Sequence, residues 1–150
     1  MLRIAQYGDI MNRLASALAA QSAIGYALLR AMAGIVLFYH GYQKVFAMGL
    51  SAVAGFFEKI GIFLPQITGP FIGLLELIGG ALLFLGLFTR YLGLLFAIEF
   101  IVASYASWIL MDRGYGKSEL ELLILFAGVL FATNGAGKLS LDAVFRRSDA

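Results

Sequence analysis

The chain has 150 residues, 61% of them hydrophobic and 13% charged, with a formal net charge of +2, one histidine and no cysteine. Mean hydropathy is +0.90, beyond the apolar share of ordinary soluble domains, and the length leaves room for one membrane-embedded domain rather than two modules. The missing cysteines exclude a thiol relay, haem attachment, iron–sulfur ligation and a cysteine zinc site. The small net charge argues against a nucleic-acid partner, and a lone histidine makes a metal site unexpected.

Residues 1–21 make a poor secretory signal, because Arg3, Asp9 and Arg13 interrupt them and the apolar part is short and alanine-rich. Tyr7, Met11, Leu14 and Leu18 recur at helical spacing, which predicts an amphipathic helix lying on a membrane surface, with a flexible tail as the alternative. A first apolar run covers residues 23–48 and is long enough to span a bilayer. The following segment, 47–69, is rich in Gly and contains Pro65 and a Gly69-Pro70 breaker. Its apolar middle predicts a short helix over 51–60, too short to cross. Further spans are expected over 70–87, with Pro70 in the first turn, over 91–111 and over 119–133. A tight turn is expected at Thr89–Tyr91 and a polar loop at 112–118. The last span is short and requires tilt or local thinning.

The expected fold is therefore an all-α integral membrane protein, an antiparallel four-helix transmembrane bundle with an N-terminal amphipathic helix. Its divisions are residues 1–21 (amphipathic), 22–145 (bundle) and 146–150 (polar tail). Four spans put both termini on one side. Arg3, Arg13, Arg90, Lys138, Arg146 and Arg147 outnumber the basic residues of the opposite loops, which places the termini in the cytoplasm of an inner-membrane protein.

Ionisable residues inside spans are expensive and mark candidate sites. On a helical wheel Arg30, His40 and Lys44 fall on one side of the first span. By depth, Lys44, His40, Glu76 and Glu121 share the outer half of the bundle, Glu99 sits near its centre and Arg30 lies deeper. Buried charges need partners, so the expected pairs are Lys44 or His40 with Glu76 and Glu121, and Arg30 with Glu99. Blander fates stand beside these: Arg30 snorkelling to the interface, Lys44 anchoring a helix end, and His40 donating to a carbonyl. Gly73, Gly79, Gly80 and Gly86 are expected to let helices approach closely.

Arg30 followed by His40-Gly41-x-x-Lys44, then Glu76-x-x-Gly79-Gly80 with Leu85-Gly86-Leu87-x-Thr89-Arg90, then Gly135-x-Gly137-Lys138-x-Ser140-Leu141-Asp142, resembles the DoxX family of small four-span membrane proteins. The resemblance covers roughly residues 24–145. It implies a bacterial cytoplasmic-membrane protein, with some members linked to thiosulfate:quinone oxidoreduction or to membrane complexes handling oxidative stress. Glu99 is not matched to that pattern, so its role rests on membrane energetics. Ala136 stands between glycines where the family often has proline, which bears on the rigidity of that turn.

Two function classes follow. One is a subunit or accessory of a quinone- or sulfur-linked membrane redox system, with His40 and Glu76 as acid–base candidates in a buried cluster. No redox cofactor is expected within the chain itself, so electrons need a partner oxidoreductase subunit or a diffusible quinone. Phe38, Tyr39, Tyr42, Tyr105 and Trp108 sit at levels suited to walling a flat ring. The other class is a non-enzymatic protein handling small solutes, protons or lipids, with structural ion pairs. The lipid bilayer is a partner in either case, and a homo-oligomer is compatible with both.

Overall fold

A computed structural model describes residues 2–148, which form helices and connecting turns only. In order these are α1 (Leu2–Ala20), α2 (Ser22–Tyr42), α3 (Leu50–Lys59), α4 (Pro65–Leu74), α5 (Gly80–Leu85), α6 (Thr89–Tyr105), α7 (Glu119–Asn134) and α8 (Leu141–Ser148). Three π-helical segments, Gln43–Met48, Leu75–Gly79 and Ala106–Leu110, prolong or join them. The result is three continuous helices long and apolar enough to cross a membrane, Ser22–Met48, Pro65–Leu85 and Thr89–Leu110. At 16 residues, α7 falls short of that length. Met1 and residues 149–150 of the expected polar tail lie outside the described residues, and residues 146–148 belong to α8.

Two expected boundaries move. The second apolar helix starts at Pro65, not Pro70, with Leu64 in the left-handed region (φ 49°) just before it. A proline in the first turn removes an N–H that has no helical partner anyway. Pro70 instead lies inside the helix, and Gly69 beside it lets α3 dock. A Cβ at Gly69 would stand 2.9 Å from Ala54 Cα, so the α3 contact supports the turn that the proline weakens. Likewise the tight turn lies at 86–88, where Gly86 (φ 73°) and Phe88 (φ 53°) are left-handed, while Thr89, Arg90 and Tyr91 open α6. Glycine takes that conformation without a Cβ penalty.

α2 packs against the second apolar helix, and α6 against α7. Small residues set both contacts. A Cβ at Gly41 would stand 2.2 Å from Leu77 N, and one at Gly80 2.4 Å from Phe38 N. A Cβ at Gly93 would stand 2.5 Å from Ala132 N and one at Gly128 2.9 Å from Ala97 N. With no hydrophobic drive between helices in lipid, the van der Waals packing that close backbone approach permits is one of the forces that hold such helices together. Between the two pairs runs a core of Ala33, Leu37, Leu83, Leu92, Phe96, Phe100, Ile124, Ala127 and Phe131. The outward faces keep Leu28, Ile35, Ile78, Ile101, Leu123 and Phe126 exposed, far more apolar surface than a water-soluble monomer presents.

α1 is helical as expected, and Tyr7, Met11, Leu14 and Leu18 are all exposed. α3 matches the expected short helix over 51–60 to within a residue at each end.

Candidate functional site

Lys44 and Glu76 form an ion pair between the first and second apolar helices, with the Lys44 side chain 22% and the Glu76 side chain 4% exposed. Each partner lies in a π-helical segment, Lys44 in Gln43–Met48 and Glu76 in Leu75–Gly79. A π turn inserts an extra residue into the ladder, redirects the side chains that follow, and is frequent at functional sites. Glu99, on α6 and itself buried, brings a second carboxyl against that of Glu76 and within the field of Lys44. Its Oε2 has no hydrogen-bond partner among the described residues. One ammonium and two carboxyls, drawn from three helices, thus share one apolar interior.

The other candidates stand elsewhere. His40 is half-buried, its ring makes no hydrogen bond among the described residues, and that ring sits edge-on to Tyr39. Glu121, also half-buried in the first turn of α7, forms no ion pair among the described residues. Arg30 does not meet Glu99. It is buried, but its Nη1 donates to the Ala136 carbonyl and its Nη2 to that of Leu139 at 2.8 Å. The non-helical backbone at 135–140 has carbonyls that no helix satisfies, and a buried guanidinium supplies the donors they need.

Around Arg30 a second polar centre assembles, roughly 20 Å from Lys44 along the same helix. Tyr26 OH donates to the Gly135 carbonyl. Arg90 Nη1 donates to the Thr133 carbonyl at 2.9 Å and to that of Ala132 at 3.3 Å, covering the last turn of α7 where orphan carbonyls collect. The Asp142 carboxylate accepts from Phe88 N at 3.2 Å and Thr89 N at 3.4 Å, which holds the 86–88 turn. Gly86 backs directly onto Arg30, since a Cβ there would stand 2.7 Å from its Cζ. Hence Gly86 serves a turn and a guanidinium rather than a helix contact. The roles of Tyr26, Gly34, Gly41, Gly93 and Gly128 escape sequence reasoning. A small-xxx-small spacing, Gly93 with Ala97 and Gly128 with Ala132, is the signal that marks the last two.

Near the start of α7, Ser118 Oγ lies 2.9 Å from Ser107 Oγ and 3.1 Å from the Gly114 carbonyl, with both serines buried. No group of three His, Cys, Asp or Glu residues able to hold a metal ion occurs among the described residues.

The chain matches the DoxX family over residues 25–109. It is 37% identical over 119 residues to a protein of Bacillus subtilis (strain 168) named "Putative oxidoreductase CatD", covering 79% of this chain and 85% of that protein. A Haemophilus influenzae protein whose name assigns no activity is 29% identical over 127 residues, covering 79% of this chain and 89% of that one. No solved structure matches. Matched over more than half its length, and carrying three helices fit to cross a membrane, the chain belongs to the DoxX family of membrane proteins.

Proposed function

We propose that this chain is the membrane component of a redox system in which Lys44, Glu76 and Glu99 exchange protons with a quinone-like carrier. The observation that carries the reading is the unpartnered Oε2 of Glu99 beside an ion pair built on two π turns. A buried polar atom without a partner calls for a ligand or water. Lys44 supplies a donor for a carbonyl oxygen, and the carboxyls supply groups that take up and release protons. Reduction of a quinone to a quinol consumes two electrons and two protons. The electrons come from a partner oxidoreductase subunit or a diffusible carrier, because the sequence has no cysteine to ligate an iron–sulfur cluster or attach a haem. The name of the Bacillus relative favours redox chemistry.

In this reading α7 is a short fourth crossing, the helices alternate in direction, the protein sits in the inner membrane with cytoplasmic termini, and α1 lies on that surface. The rival reading is a purely structural cluster in a solute-, proton- or lipid-handling protein. Direct contact between Lys44 and Glu76, which neutralise each other without any ligand, favours it.

Extraction in mild detergent, followed by absorbance and mass spectrometry for co-purified quinone, separates the two. Titration with a short-chain quinone, followed by fluorescence of Trp108, the single tryptophan, provides the affinity. Saturable quenching that weakens in Glu99→Gln supports the redox reading. Absence of both bound quinone and saturable quenching rejects it.

A further inference from the structure

We propose that a cleft at the outset of α6 is a binding site for the phosphate of an anionic lipid headgroup. The cleft has a volume of about 300 Å³ and is lined by Phe88, Arg90, Tyr91, Asp142, Phe145 and Arg146 together with residues 134–136. It lies apart from the Lys44 cluster and does not depend on the redox reading.

Two guanidiniums face this space, and both are braced. Arg90 is fixed by the two carbonyls that its Nη1 meets, leaving Nη2 and Nε outside those bonds. A Cβ at position 135 would stand 3.0 Å from Arg90 Nε, so the glycine there keeps that edge of the fork open. Arg146 donates from Nε to the Asp142 carbonyl at 3.2 Å, leaving its two Nη groups outside that bond. The one carboxylate in the wall, Asp142, is turned to the backbone N–H groups of Phe88 and Thr89. Two cations therefore act against one anion already engaged. A planar fork of this kind matches the oxygens of a phosphodiester.

The level of the cleft decides between a lipid and a free ion. Arg90 and Tyr91 are the second and third residues of a helix fit to cross a membrane, so the cleft stands where lipid phosphates lie. Phe88, Tyr91 and Phe145 are 60%, 72% and 57% exposed, and aromatic rims belong at that interface. Basic pockets at such helix ends suit anionic headgroups. A phosphocholine would bring its own cation against the two arginines.

Native mass spectrometry of the intact chain, released from neutral detergent doped with equal phosphatidylglycerol and phosphatidylcholine, tests the site. The expected result is preferential retention of phosphatidylglycerol, reduced about tenfold in Arg146→Gln by loss of one charge-assisted contact. Arg146→Lys should retain part of the preference, and Arg113→Gln, in the loop before α7, all of it. Thermal melting of each variant without lipid separates misfolding from lost binding, and Arg90→Lys serves as the second variant if Arg146→Gln does not fold. Equal retention of both lipids, or an undiminished preference in the folded variant, overturns the proposal. Displacement of phosphatidylglycerol by millimolar inorganic phosphate would make this a free-phosphate site and overturn the lipid assignment.

Discussion

Lys44 and Glu76 meet from π-helical turns of two different helices, and the carboxyl of Glu99 closes on the same point from a third. An ion pair buried in this way is costly to break from one side, because the remaining charge has lost its partner. Lys44→Met is therefore expected to destabilise the protein by about 3–5 kcal/mol. The double variant Lys44→Met with Glu76→Leu should recover most of that loss. Thermal unfolding in a fixed detergent measures both, and equal losses in the single and double variants would contradict the pairing.

Glycines at the helix contacts should differ sharply from glycines in open space. Gly41→Ala forces a Cβ to within 2.2 Å of Leu77 N, and separating the helices to relieve it should cost about 1–3 kcal/mol or more. Gly55, inside α3, has nothing within 4 Å of such a Cβ. Gly55→Ala should accordingly stabilise the chain by about 0.5–1 kcal/mol. The same melts read both signs.

Arg30→Leu removes the donors from two carbonyls of the 135–140 segment and should cost about 2–3 kcal/mol. The loss should be local first: amide hydrogen exchange ought to rise at residues 135–140 and around the 86–88 turn before it rises at Phe96 or Phe100. A uniform rise along the chain would show that Arg30 supports the fold generally rather than this loop.

Reporter fusions at both termini decide whether α7 crosses. Four crossings place both reporters on one side, expected to be the cytoplasm. Three crossings, the number of helices that meet the length for spanning, place them on opposite sides.

Glu99→Gln keeps size and hydrogen-bonding capacity while removing the titrating group. Stability should change little, and quinone-dependent quenching of Trp108 should weaken about tenfold or more, the equivalent of one charge-assisted hydrogen bond. Unchanged quenching would take Glu99 out of the proposed exchange.

Much of this architecture was legible before any coordinates, and for local reasons. Hydropathy adds along the chain, so the apolar helices Ser22–Met48 and Thr89–Leu110 follow from composition and length. The quoted motif residues also announced themselves by type: a charged Arg30, Lys44 or Glu76 in an apolar run has no inexpensive place in lipid. What remained undetermined was rotation. A wheel of constant pitch puts Arg30, His40 and Lys44 on one stripe, but the π segment Gln43–Met48 resets the pitch at Lys44. Glu99 found Glu76 instead of Arg30 for a related reason. Arg30 had already been claimed by the carbonyls of a loop more than a hundred residues later, and the sequence does not state which backbone atoms a distant loop leaves unsatisfied. The sequence by itself thus determined where the apolar helices run, which charges lie inside them and which family pattern they form, but not that Pro65 opens the second or that residues 141–148 turn into α8. Only tertiary structure decided which of those charges meet, because partners depend on helix rotation and on the close approach of Gly41 and Gly80 to the opposing backbone, and both are properties of the packed pair.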